Sequence, residues 1–137
     1  MLLRKKLNCI LLVDDDPDDN YFHQIVIKEL DVVKEVDVAG NGLEALTYLK
    51  RENCVPPDLI FLDINMPRMN GWEFLAEYKH LPVHQQARVV IIFLTTSASP
   101  DDLRRARELE EVSGFETKPL TKETLTEILQ EHFKENF

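Results

Sequence analysis

Five short polar pieces of this chain could carry chemistry together, because each follows an apolar run that is typical of a β-strand. The residues are Asp14 with Asp15, Asp63, Asn65, Thr95 and Lys118. Side chains at the carboxyl ends of parallel strands face one crevice, so residues about a hundred positions apart would become neighbours. A cluster of carboxylates that contains no His or Cys can bind a hard cation such as Mg²⁺, and a lysine beside the cluster can bind a phosphoryl group. The sequence therefore predicts a site that places phosphate on Asp63.

The elements that must position these residues alternate regularly, because five strand-like runs are each followed by a helical pattern. The predicted strands are residues 9–13, 36–39, 59–62, 89–94 and 114–117, and the predicted helices are residues 17–30, 43–49, 71–80, 100–112 and 121–133. Continuous apolar runs are typical of parallel strands that are covered on both faces. Because parallel crossovers are right-handed, we predict an α/β fold: a (βα)5 doubly wound, open, parallel five-stranded sheet with helices on both faces.

The composition suits one domain, predicted over residues 7–135 of the 137, without an effector domain. A net charge of −9 and the absence of a basic stripe argue against nucleic acid as the direct partner. The apolar stretch near the start is too short for a signal peptide or a membrane span. Cys9 and Cys54 have no metal-ligand spacing, so a reduced, cytoplasmic setting is predicted.

Other polar residues have simpler interpretations. Asp16, followed by Pro17, is predicted to cap the first helix, and Asp18 and Asp19 suit the positive end of its dipole. The four histidines are scattered and match no ligand spacing, so solvated positions are predicted for all of them: His23, His80, His84 and His132. Neither group is expected to take part in the chemistry.

Four motifs occur in the order and at the distances of a known family. They are Leu12-Val13-Asp14-Asp15-Asp16, Leu62-Asp63-Ile64-Asn65-Met66-Pro67, Leu94-Thr95-Thr96-Ser97 and Thr117-Lys118-Pro119. Through them the chain resembles, over residues 8–133, the receiver domain of bacterial two-component response regulators. The Thr95-Thr96-Ser97 run is similar to stand-alone receivers paired with bacterial phytochromes. The resemblance implies a flavodoxin-like fold and a phosphorylation switch driven by a sensor histidine kinase or a phosphotransfer protein.

The resemblance also implies a role for each matching residue. Asp63 would be the nucleophile that takes the phosphoryl group and becomes an aspartyl phosphate. The ligands of Mg²⁺ would be Asp14, Asp15, Asp63 and the backbone carbonyl of Asn65. Lys118 would pair with one phosphoryl oxygen as a point charge, and the hydroxyl of Thr95 would donate to another.

Two further pairs would control the switch and its lifetime. Movement of Thr95 toward the phosphate would let the side chain of Phe115 turn inward. Many relatives have Tyr at the position of Phe115. The alternative is that Phe115 is a core residue in both states. Asn65 and Ser97 lie two places beyond the phosphorylated aspartate and the threonine. Because both are small and polar, neither should block a water that attacks the phosphoryl group, and the phosphorylated form should hydrolyse itself appreciably.

Other functions are weaker interpretations. A haloacid-dehalogenase-like phosphatase would also use a nucleophilic aspartate and Mg²⁺, but Pro17 stands where that family wants Thr or Val. A flavodoxin-like cofactor carrier would need a Ser/Thr/Gly-rich phosphate loop, where this chain has three acids. A degenerate receiver that only binds a partner is the nearest rival, and intact Asp63 and Lys118 argue against it. The resemblance implies a signalling switch rather than an enzyme. The downstream protein and a possible homodimer through residues 101–137 stay open.

Overall fold

The computed structural model of the protein describes residues 3–52, 56–86, 90–96 and 99–137. Within these residues the strands are β1 (Leu7–Val13), β2 (Val33–Ala39), β3 (Leu59–Leu62), β4 (Val90–Thr95) and β5 (Gly114–Thr117). The α-helices are α1 (Pro17–Leu30), α2 (Gly42–Lys50), α3 (Gly71–Tyr78), α4 (Pro100–Arg107) and α5 (Lys122–His132), and short 3₁₀ turns cover Val83–Gln85 and Lys134–Asn136. The predicted (βα)5 doubly wound, flavodoxin-like fold is confirmed.

The sheet is parallel throughout, with the strand order β2-β1-β3-β4-β5. The order reverses direction between β1 and β3, and ligands of open α/β sheets bind at such a switch point, outside the carboxyl ends of the strands. Val13 is in register with Leu62, and Thr95 is in register with Thr117. The residues that follow these strands therefore start from the same edge of the sheet.

Two apolar layers, one on each face of the sheet, hold the helices. Alternate residues of β1 and β3 point to opposite faces: Leu11 and Ile60 join the layer under α2 and α3, whereas Ile10 and Phe61 join the layer under α1 and α5. These strand side chains are 0–2% exposed. Burial on both faces explains why the strands have continuous apolar sequences instead of alternating ones.

Side-chain caps set where the helices begin. Asp16 is the cap of α1, as predicted, and its Oδ1 accepts hydrogen bonds from the backbone amides of Asp18 and Asp19. The cap of α3 is Asn70, which exchanges hydrogen bonds with Glu73 in a capping box. Each cap satisfies amides that have no partner inside the helix. α1 and α3 are therefore fixed directly after the loops that carry the acidic residues.

Four predicted boundaries were wrong by two residues or more. Helix α4 ends at Arg107 instead of residue 112, and beyond it the chain turns through hydrogen bonds between residues three apart, such as Leu109 N to Ala106 O. Helix α3 ends at Tyr78 instead of residue 80. Strand β1 begins at Leu7 instead of residue 9, and β2 begins at Val33 instead of residue 36. Three residues named in the predictions lie outside the described residues: Cys54, Val89 and Ser97.

No helix in the described parts of the chain combines the length and the apolar character that crossing a membrane requires.

Candidate functional site

Three carboxylates converge at the switch point of the sheet. Asp14 and Asp63, directly after β1 and β3, are 5% and 7% exposed, whereas Asp15 faces solvent. The backbone amides of both residues continue the hydrogen bonding of the sheet, because Asp14 N donates to Ala39 O and Asp63 N donates to Val13 O. One oxygen from each of the three carboxylates lies within 4.8 Å of the others. This all-oxygen donor set fits a hard divalent cation such as Mg²⁺.

Lys118, directly after β5, places its ammonium against two of these carboxylates and against that of Asp19. Its Nζ lies 2.5 Å from Asp14 Oδ2, 2.9 Å from Asp19 Oδ2 and 3.4 Å from Asp63 Oδ2, and the side chain is 8% exposed. Burial alone would lower the pKa of this ammonium, but hydrogen bonds to Asp14 and Asp19 and the charge of Asp63 raise the pKa above its usual range. Lys118 is therefore a permanent cation at the site.

The environment of Asp63 works against its ionised form. Burial and the negative charge of Asp14 raise the pKa of the Asp63 carboxyl, while Lys118 and a hydrogen bond from Ile64 N to Oδ1, 2.8 Å long, act in the lowering direction. The net shift is upward. A divalent cation placed among the three carboxylates would oppose this shift, because it adds positive charge at short range.

The loop after Asp63 packs directly against the first residue of α3. Gly71 N donates to Ile64 O at 2.8 Å, and a Cβ on Gly71 would lie 2.5 Å from the carbonyl oxygen of Asp63. A side chain therefore cannot be added at Gly71 without moving the backbone of the acidic loop. Asn65, on this loop, is exposed, so its side chain is open to solvent next to the site.

The predicted switch residues lie on neighbouring strands. Thr95 is the last residue of β4 and is 2% exposed. Phe115 of β5 is half-buried, and its ring centroid lies 5.7 Å from that of Phe93. Phe93 is in register with Phe115 and two residues before Thr95, so all three side chains share one face of the sheet. The Phe93 ring also contacts the Trp72 ring, with 4.8 Å between the centroids.

Two residues of α1 take part in the site without having been predicted to do so. Asp19, expected only to suit the helix dipole, pairs with Lys118. His23, expected at a solvated position, is 2% exposed, and its Nε2 accepts a hydrogen bond from Leu120 N at 3.2 Å. Burial lowers the pKa of His23, which favours the neutral ring that can accept this bond. His23 does continue the buried stripe of α1 at helical spacing with Val26 and Ile27, and this spacing was the available signal.

Comparison with known proteins agrees with the geometry. The model of the response regulator receiver domain family matches residues 10–130. Among curated proteins the chain is similar to response regulator Rcp1 of Synechocystis sp. (strain ATCC 27184 / PCC 6803 / Kazusa), with 35% identity over 125 residues that cover 88% of this chain and 83% of that protein.

Solved structures give the same result. A two component response regulator from Cytophaga hutchinsonii superimposes with a TM-score of 0.83 at 27% identity, covering 93% of this chain and 97% of that one. The phosphorylated cyanobacterial phytochrome response regulator RcpA gives 0.73 at 33% identity, with 91% and 90% covered. The Mn²⁺-bound form of Rcp1 gives 0.70 at 33% identity, with 90% of each chain covered.

Proposed function

The chain belongs to the response regulator receiver domain family, and from this premise we propose that Asp63 accepts a phosphoryl group in a Mg²⁺-dependent reaction. The donor would be a sensor histidine kinase or a phosphotransfer protein. The observation that carries the proposal is the Lys118 ammonium held between the buried carboxylates of Asp14 and Asp63. A receiver that no longer accepts phosphate has no need of this arrangement, because burying several charges together is costly.

Four groups would hold the cation: the carboxylates of Asp14, Asp15 and Asp63, and the backbone carbonyl of Asn65. The convergence of the first three supports this set, and a related protein, Rcp1, has been crystallised with Mn²⁺. Bound Mg²⁺ would neutralise the negative charge that builds up between the attacking carboxylate and the phosphoryl group.

Asp63 would act as the nucleophile in its ionised form. One carboxylate oxygen attacks phosphorus and forms a P–O bond, while the P–N bond of phosphohistidine breaks and its electron pair stays on the imidazole. With a small acyl phosphate, the bond that breaks is the P–O bond to the acyl group. Lys118 pairs with one phosphoryl oxygen, and its existing contact with Asp63 needs only a small rearrangement.

Thr95 and Phe115 would convert phosphorylation into a change of surface. The Thr95 hydroxyl moves to a phosphoryl oxygen, and the half-buried Phe115 ring, which already packs beside Phe93, turns into the space this leaves. Phe115 packs as a tyrosine would but has no hydroxyl to fix the inward rotamer. Asn65 would keep the path of an attacking water open. Ser97, proposed for the same task, lies outside the described residues.

The proposed unit, residues 7–135, is a signalling switch that promotes its own phosphotransfer and slow dephosphorylation; it is not an enzyme that acts on a separate substrate. Its output would be a protein partner or a second copy of the chain, without direct contact to nucleic acid or membrane. A cytoplasmic setting stays a prediction from the spacing of the cysteines.

Mass measurement after incubation with acetyl phosphate and Mg²⁺ tests the proposal. The wild-type protein should gain one phosphoryl group, and a chelator or Asp63→Asn should abolish the gain. Asp18→Asn is the matched control, since it removes the same charge from an exposed position of α1. An unmodified wild-type protein would support instead a degenerate receiver that only binds a partner.

A further inference from the structure

One face of α1 contacts the loop that carries Lys118 at two points. Asp19 and His23 are four residues apart, so their side chains lie on the same side of the helix. Asp19 Oδ2 accepts a hydrogen bond from Lys118 Nζ at 2.9 Å, and His23 Nε2 accepts one from Leu120 N at 3.2 Å. Because Lys118 and Leu120 flank a single proline, the loop is held on both sides of that residue.

Asp19 differs from the other two carboxylates that contact Lys118. Asp14 and Asp63 belong to the group whose oxygens converge on the proposed cation site, whereas Asp19 is not a member of that group. A divalent cation at the site would bind the carboxylates of Asp14 and Asp63 and would repel the ammonium of Lys118. The carboxylate of Asp19 would still attract the ammonium under these conditions, because it lies 2.9 Å from Nζ and is not among the carboxylates that would bind the cation.

His23 acts on the backbone of the same loop. The Leu120 amide is buried, and a buried amide without an acceptor costs free energy, so the bond to His23 fixes where the loop lies. The Nε2 atom can accept only when the ring is neutral with its proton on Nδ1. Removal of the acceptor would allow Leu120, and with it Lys118, to shift away from α1.

We propose that Asp19 and His23 are positioning residues: they hold the loop of Lys118 against α1, so that its ammonium stays beside Asp63 when the cation is bound. This inference rests on the proposed phosphorylation of Asp63. Helix α1 would then position Lys118 in addition to packing on the sheet. The loss of this contact should slow phosphoryl transfer rather than unfold the protein.

The rate of phosphorylation by acetyl phosphate at saturating Mg²⁺ tests the role of Asp19. Asp19→Asn should slow the reaction about fivefold or more, because a charge-assisted hydrogen bond to Lys118 is lost. Asp18→Asn removes the same charge from the same turn of α1, but Asp18 does not contact Lys118. The phosphorylation rate of this variant should stay within about twofold of that of the wild type. Equal rates for the two variants would overturn the proposal for Asp19.

Rescue by a conservative variant tests His23. His23→Leu should slow the same reaction by about fivefold or more, whereas His23→Gln, whose Oε1 can replace Nε2 as acceptor for Leu120 N, should recover most of the rate. Equal slowing by Leu and Gln, at equal thermal stability, would overturn the role of His23. If His23→Leu does not fold, the Asp19 pair decides the proposal. A wild-type protein that is not phosphorylated at all would reject the proposed function itself, which is a different outcome.

Discussion

The backbone amide of Lys118 donates a hydrogen bond to the carbonyl oxygen of Thr95, with 2.8 Å between nitrogen and oxygen. This bond continues the pairing of β4 with β5 by one step, beyond the register of Thr95 with Thr117. The two side chains that we assign to the phosphoryl oxygens therefore leave adjacent strand ends at the same level. Their spacing is set by the sheet and does not depend on a flexible loop.

The hydroxyl of Thr95 should contribute to phosphoryl binding but little to stability. Thr95→Val keeps the side-chain shape and should weaken the binding of beryllofluoride with Mg²⁺ by about tenfold, since a hydrogen bond to an anion is lost. Calorimetric titration measures the affinity. Thr117→Val, at the exposed partner position on β5, should bind as the wild type does, and equal binding by the two variants would remove Thr95 from the site.

Without a cation, Asp63 should destabilise the folded protein at neutral pH. Its folded-state pKa is raised above 3.8, so the folded protein binds this proton more tightly than the unfolded chain does, and ionisation of the carboxyl costs stability. The cost is absent below about pH 4 and grows as the pH rises through the raised pKa. In a chelator, Asp63→Asn should therefore melt at a higher temperature than the wild type at neutral pH.

Thermal denaturation between about pH 4 and pH 8 measures this difference, which should shrink toward the acidic end. Asp18→Asn serves as the control and should show no such pH-dependent gain. A wild-type protein that is as stable as Asp63→Asn at neutral pH in chelator would contradict the prediction.

Mg²⁺ should stabilise the folded protein through the three converging carboxylates. At about ten times its dissociation constant, a ligand that binds only the folded state adds about 1.4 kcal/mol, which corresponds to a rise of about 5 °C in melting temperature. Asp15→Asn should remove most of this rise, whereas Asp18→Asn should keep it. Calcium-free melting curves over a Mg²⁺ series decide the point, and an equal response of both variants would exclude Asp15 as a ligand.

Gly71 should be required because of the space beside Asp63. The added Cβ of Gly71→Ala would lie 2.5 Å from the Asp63 carbonyl oxygen and 3.1 Å from Ile64 Cα, so the acidic loop must move. We expect a loss of about 1–3 kcal/mol in the free energy of unfolding, measured with denaturant, and slower phosphorylation. Gly114→Ala is the matched control, because its Cβ meets the Cδ1 end of the Ile92 side chain, which can rotate away.

The lifetime of the phosphorylated form should depend on access at Asn65. Asn65→Met places a larger apolar side chain on the exposed side of the site and should slow dephosphorylation about threefold or more, with less effect on phosphorylation by acetyl phosphate. Decay of the phosphorylated form is followed by mass measurement after removal of the phosphate donor. Arg68→Met, on the same loop after Asp63, controls for a general effect; unchanged decay in Asn65→Met would show that water access does not limit the lifetime.

The order of the elements, and the meeting of the acidic residues with Lys118, could be predicted from local sequence patterns. The four buried residues of β3 form one apolar run, and Asp16 with Pro17 marks the start of α1; these signals are local and need no knowledge of the rest of the chain. Asp14, Asp63 and Lys118 were predicted to meet because each follows a strand, and the strand ends of a parallel sheet share one edge. The parallel pairing confirms the reason for that prediction.

The neighbours that surround these residues could not be predicted, because they depend on how distant segments pack together. Asp19 resembled an ordinary first-turn acid, since its partner Lys118 is 99 positions away. His23 was predicted at a solvated position because its donor, the buried amide of Leu120, is distant in the sequence. The need for glycine at position 71 depends on how closely α3 approaches the Asp63 loop. A local pattern specifies the conformation and the buried face of a segment. Which group from a distant segment lies within contact distance depends on how the helices pack against the sheet.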